Sequence, residues 1–135
     1  MVDELDCPVG VYEAKVDDKL RLKMPIRFQE VLAKVDIRAW FIVSLDGVTV
    51  SLYPAAEWAK TTEEILERDE DGHSLIAFAE QEGIAYEMSP EGRILLPPQS
   101  PCCRGLRNQR VWLLWQENQI LILSCVPGDA NAICG

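Results

Sequence analysis

The chain is poor in the side chains that most often do chemistry. Its single histidine, His73, lies in an acidic stretch with no second histidine four residues away and no thiol nearby. The spacing of a zinc site or a histidine-based catalytic site is therefore missing, and no metal is expected. The five cysteines, Cys7, Cys102, Cys103, Cys125 and Cys134, are odd in number and scattered, without C-x-x-C pairs, so reduced thiols are the expected state. No apolar run approaches the roughly 18 to 20 residues that span a bilayer. The first residues, Met1 to Asp6, are acidic where a secretory signal would be basic. A cytoplasmic protein without a membrane segment is the expectation. Carboxylate pairs such as Asp17 and Asp18 have no nucleophile or histidine placed to work with them, so neither an enzyme nor a cofactor is expected.

Positive charge is also in short supply. Thirteen basic residues face 22 acidic ones, a net charge of −9, which works against binding a phosphate backbone. The deficit is concentrated in one place. From Glu57 to Glu91 there are eleven carboxylates against Lys60 and Arg68, and the rest of the chain is neutral. Glu13 to Arg38 carries seven basic and five acidic residues, and Arg93 to Arg110 carries four arginines and no carboxylate. A polyanion site, if present, belongs in those two stretches.

What the chain does have is an ordinary globular composition, 48% hydrophobic and 26% charged over 135 residues. That is enough for one core, or for two small halves sharing one. It also has an internal repeat. Val16-Asp17-Asp18-Lys19-Leu20-Arg21-Leu22-Lys23-Met24-Pro25 lines up with Met88-Ser89-Pro90-Glu91-Gly92-Arg93-Ile94-Leu95-Leu96-Pro97 at an offset of 72 residues. The same offset carries Trp40-Phe41-Ile42-Val43 onto Trp112-Leu113-Leu114-Trp115, and Val48-Thr49-Val50 onto Ile120-Leu121-Ile122.

Each copy reads as strand, turn, strand, proline, helix, strand, turn, strand, which makes the fold α+β and mainly β. In the first copy, strands Val11 to Val16 and Arg21 to Met24 flank a polar turn, and Pro25 suits the first helical position. Phe28, Val31, Leu32 and Val35 then form one helical stripe. Strands Trp40 to Leu45 and Val48 to Tyr53 flank Asp46-Gly47, read as a two-residue hairpin with both turn positions at positive φ. The second copy repeats this with Ile84 to Met88, Arg93 to Leu96, a proline-interrupted helix near Gln99 to Arg104, Val111 to Trp115 and Ile120 to Cys125. Between the copies an acidic helix runs from Pro54 to about Asp69 and stops at Gly72, and a short one runs from Leu75 to Gln81. The expected division is 10–53, first copy; 54–83, acidic helical connector; 84–125, second copy; 126–135, a frayed tail. Two such units should pack as a pseudo-symmetric pair, which places Arg21 and Arg93 in related positions.

These residues resemble the MraZ family, whose members carry two D-x-x-x-R motifs, usually D-x-K-G-R, followed by apolar residues and proline. Asp17 to Pro25 is the first such motif here and Ser89 to Pro97 the second. The family's L-Y-P-x-x-E-W stretch is intact as Leu52-Tyr53-Pro54-Ala55-Ala56-Glu57-Trp58. The likeness runs from about Gly10 to Cys125. Leu20 replaces the glycine of the first motif, and Ser89 replaces the aspartate of the second.

The resemblance implies two tandem SpoVT/AbrB-like swapped-hairpin barrel halves with short helices packed outside. It also implies a nucleoid-associated transcription factor that binds repeated boxes in promoter DNA as a ring-shaped homo-oligomer. Asp17, Lys19, Arg21 and Arg93 are the positions carried over by motif. The expected DNA-contacting set is Lys15, Lys19, Arg21, Lys23, Arg27 and Arg93, with Asp17 orienting Arg21. Guanidinium groups here suit phosphate or guanine, while the competing role for Arg21 is an ion pair with Asp17. Trp40, Trp58, Trp112 and Trp115 are expected to pack in the core rather than stack on bases. The acidic whole, Leu20 and Ser89 leave open a second reading, a protein-interaction module that kept the fold and lost DNA binding.

Overall fold

The computed structural model describes residues 10–68, 70–116 and 119–124; the expected tail and Cys7, Cys125 and Cys134 lie outside them. The fold is α+β and mainly β, with eight strands and four short helices among these residues. β1 (Val11–Lys15) and β2 (Arg21–Lys23) lead into α1 (Ile26–Val35), then β3 (Ala39–Val43) and β4 (Val50–Pro54). α2 (Ala55–Arg68) and α3 (Gly72–Glu82) follow, then β5 (Ile84–Glu87), β6 (Arg93–Leu95), α4 (Pro101–Arg104), β7 (Arg110–Trp115) and β8 (Ile120–Leu123).

The strands pair across the two halves of the sequence. A six-stranded antiparallel sheet has the order β1-β7-β8-β4-β3-β5, and β2 pairs with β6 in a separate ribbon. Neither β1 nor β5 pairs within its own half: β1 lies on β7 and β5 lies on β3. The ribbon is extended at both ends, Met24 N–H donating to the Gly92 carbonyl and Leu96 N–H to that of Leu20, each at 2.8 Å. Strand alternation then does the sorting. Leu22 and Ile94 face each other across the ribbon and are fully buried, with Trp40, Ile42, Val111, Leu113 and Phe28 in the same core. Arg21, Lys23 and Arg93 project to the other face.

The aligned blocks do not share one register. The turns are 72 residues apart, since Asp17 N–H bonds the Arg21 carbonyl and Ser89 N–H that of Arg93, both at 3.0 Å. In the later strands, however, Trp40 and Ile42 match Val111 and Leu113 in burial and in pairing with β5 and β1. Trp112 is thus the counterpart of half-buried Phe41, not of buried Trp40. A match of tryptophan to tryptophan had hidden a one-residue slip that turns every side chain to the opposite face.

The Asp46-Gly47 hairpin also differs from expectation. β3 ends at Val43 and β4 begins at Val50, and of the two only Gly47 has positive φ, +76°. The Asp46 carboxylate instead accepts from the N–H groups of Val48 and Thr49, each at 2.8 Å, and from the Ser44 hydroxyl. Those bonds, led by Thr49 and Val48, hold its pKa low. Pro25 sits just outside α1 as its N-cap rather than at its first position. The α1 stripe buries Phe28, Val31 and Leu32 but leaves Val35 only partly covered. Gly72 opens α3 rather than merely ending α2.

Trp58 fastens α2 to the sheet. Its ring stacks on Phe41 at 4.5 Å between centroids and lies 5.2 Å from Tyr53. Val43, Tyr53 and Ala79 of α3 form a second buried cluster there. Trp115 meets Phe28 edge-on, so Trp40, Trp58 and Trp115 pack as expected. His73 is exposed on α3. Cys102 and Cys103 are free thiols, and burial pushes the Cys103 thiol up to about 11, which keeps it protonated and unreactive. No helix among the described residues is long and apolar enough to cross a membrane.

Candidate nucleic-acid interface

The two β-turns that feed the ribbon build the site. In the first, Asp17 accepts from the backbone N–H groups of Lys19 and Arg21 through Oδ1, each at 2.9 Å. Its Oδ2 accepts from Arg21 Nε at 2.8 Å. One carboxylate thus closes the turn and fixes the guanidinium. Desolvation pushes its pKa up, but the backbone bonds from Arg21 and Lys19 and the Arg21 guanidinium outweigh that and hold it below the usual carboxylate range. Because only Nε is engaged, the terminal nitrogens of Arg21 keep their donors for another acceptor.

Leu20, standing where the family pattern has glycine, adopts the left-handed conformation that glycine favours, at φ 62°. Its side chain is 1% exposed. A left-handed non-glycine residue costs about 1–2 kcal/mol, and burying a leucine returns about 1.5–3 kcal/mol. The turn keeps its shape because the side chain is a core residue.

The second turn has the same backbone with weaker side-chain support. Gly92 has φ +81°, and the Ser89 hydroxyl accepts from Arg93 N–H at 3.0 Å, the role of Asp17 Oδ1. Serine has no second oxygen for the guanidinium, so Arg93 lacks the clamp that holds Arg21. Glu91 stands at the position matching Lys19; its own backbone and the Ser89 hydroxyl lower its pKa, with Arg93 and Lys23 adding attraction through space. Gln29 of α1 braces this turn, donating to the Met24 carbonyl at 2.7 Å and lying so close to Gly92 that a Cβ there would come within 2.4 Å of it.

The structure brings five of the seven expected site residues together: Asp17, Lys19, Arg21, Lys23 and Arg93 lie on the ribbon and its turns. Lys23 pairs directly opposite Arg93, and Arg21 opposite Leu95, which sets Arg21 and Arg93 diagonally, about 7–8 Å apart at the backbone. Lys23 also donates from Nζ to the Glu91 carbonyl. Lys15 lies apart from the ribbon, exposed at the end of β1 two residues before Asp17 and opposite Arg110, whose Nε meets Glu13 at 2.6 Å. Arg27 is on α1, outside the ribbon, 4.0 Å from Glu30. Like charges placed directly opposite destabilise a strand pair, so Lys23 against Arg93 is an arrangement that an anion would relieve, whereas Arg110, opposite Lys15, already has Glu13. Sequence reasoning missed Glu91 and Gln29; the register match of Glu91 to Lys19 was the available signal for the first, and nothing local marked the second.

No protein-family model matches the chain. It is similar to several curated proteins named transcriptional regulator MraZ. That of Thioalkalivibrio sulfidiphilus is 31% identical over 114 residues, 82% of this chain and 75% of the relative. That of Acidobacterium capsulatum is 31% identical over 91 residues, 65% of this chain and 62% of the relative. That of Koribacter versatilis is 27% identical over 92 residues, 65% and 63%. In the last two, the match spans somewhat less than two thirds of the relative's length. With the paired turns, the L-Y-P-x-x-E-W stretch and a relative at this identity over most of both chains, the chain belongs to the MraZ family.

Proposed function

We propose that the protein is a DNA-binding transcriptional regulator that works as a ring-shaped homo-oligomer on repeated promoter boxes, in the cytoplasm and associated with the nucleoid. Its architecture is two tandem swapped-hairpin halves, 10–53 and 84–125, joined by an acidic helical connector, 54–83. The exchange of β1 and β5 between the halves supports that division. The function rests above all on the β2–β6 ribbon, which buries Leu22 and Ile94 on one face and turns Arg21, Lys23 and Arg93 outward on the other. A two-stranded ribbon fits the major groove of a duplex, where a guanidinium can bond guanine or phosphate. The relatives' name, transcriptional regulator, agrees with this. A ring would repeat the basic surface and raise the effective concentration of each weak contact at spaced boxes.

Net charge is no obstacle, because α2, α3 and the link between them, residues 55–82, hold nine carboxylates against two cations, and α2 packs against β3 and β4 rather than against the ribbon. That acidic surface favours a second reading, a module that binds a protein partner. The test is a titration of the intact chain with duplex DNA from upstream of its own coding sequence. Arg21→Ala should weaken binding on the order of tenfold or more while the thermal midpoint holds. Equal binding by the variant and the intact chain would contradict the assignment, and a protein partner that survives nuclease treatment would favour the second reading.

A further inference from the structure

A barrel with two-fold pseudo-symmetry should present two equal half-sites to DNA, but the two ends of this ribbon are unequal in two respects, the hold on the arginine and the charge around the turn. Arg21 is clamped by Asp17, whereas Ser89 leaves Arg93 without that clamp. Lys19 is exposed in the first turn, where the matching residue of the second is Glu91. Around that first turn Lys15 and Arg21 join Lys19 against Asp17 and Asp18, whereas at the second Arg93 and Lys23, which lies opposite it, meet Glu87 and Glu91. Both differences favour the same end.

We propose that each chain offers DNA one oriented half-site, centred on the first turn. There Asp17 aims Arg21 at a base edge and Lys15 and Lys19 hold flanking phosphates, while the second turn lends only a sequence-blind phosphate contact through Arg93. The proposal rests on the DNA-binding reading. Base readout needs a donor pair held in one geometry, since a mobile side chain loses discrimination to the entropy of fixing it. A phosphate contact tolerates mobility, and it positions without specifying. Glu87 and Glu91 repel a backbone that leans toward the second turn. In this arrangement Asp17 is a positioning residue: it touches no DNA and acts through Arg21. The box read by one chain is therefore asymmetric, and the chain lies on it in a single direction.

The experiment is selection of duplexes from a randomised library by the intact chain and by four variants, with a salt series on the winning duplex. The intact chain should select an asymmetric box. Arg21→Ala and Asp17→Ser should both flatten its base preferences, and Asp17→Ser should leave the salt dependence as steep as before, since it removes no cation. Arg93→Ala should weaken all sequences about equally and lower the slope of log affinity against log salt by about one. Ser89→Asp combined with Glu91→Lys rebuilds the first turn's residues at the second, and should move the selected box toward two-fold symmetry. A palindromic box for the intact chain, or loss of base preference in Arg93→Ala equal to that in Arg21→Ala, overturns the proposal while leaving DNA binding standing. Failure of the intact chain to retain any duplex at low salt overturns the DNA-binding reading, and this proposal with it.

Discussion

Leu20 shows how a departure from a motif is absorbed. Glycine would relax the backbone at φ 62° but would remove a side chain that is 1% exposed and part of the main core. The strain relieved, about 1–2 kcal/mol, is smaller than the roughly 2–5 kcal/mol that deleting a buried leucine costs. Restoring the family's glycine with Leu20→Gly should therefore destabilise the protein by about 1–3 kcal/mol, measured by denaturant unfolding; a stabilised variant would mean that the leucine is tolerated rather than used. The position was legible in the sequence as a departure, but its outcome was not. Whether a residue at a turn points inward depends on the opposite strand, and here that strand lies in the other half of the chain.

At the scale of elements, helices and strands could be read from periodicity because their signals are local: the Phe28, Val31, Leu32 stripe appears as expected, with Pro25 one residue earlier than expected, as the N-cap of α1. The pairing could not. β1 lies on β7, about a hundred residues further along the chain, and no local pattern states such a partner. The register slip at Trp112 and the Asp46 loop failed for a related reason, since a similar residue and a favoured dipeptide each satisfied a sequence rule while hydrogen bonding elsewhere set the geometry. The α2–α3 junction offers a test of its own. A Cβ at Gly72 would lie 2.7 Å from the Ile65 carbonyl oxygen, and backbone cannot yield cheaply there. Gly72→Ala should cost about 1–3 kcal/mol and loosen the two helices from each other, seen as faster amide exchange in α3 with the main sheet protected as before. Unchanged exchange in α3 would mean that the junction opens without cost.

Across the whole molecule, the separation of charge is what reconciles an acidic protein with an anionic ligand. The connector, 54–83, carries a net −7 of the chain's −9, and the ribbon carries Arg21, Lys23 and Arg93, with Lys19 in the turn beside it. The candidate residues were legible in the sequence because the motif names them. Their inequality was only half legible: Ser89 and Glu91 could be seen, but that Ser89 keeps the backbone bond and gives up the guanidinium bond is a matter of geometry. Affinity arising from this surface must carry the mark of released counterions. The direct measurement is the affinity of the intact chain for duplex DNA across a series of salt concentrations. Three to four phosphate contacts per chain predict a slope of about −3 to −4 for log affinity against log salt, whereas a slope near zero, or no binding at the lowest salt, would contradict a cationic ribbon as the DNA-binding surface.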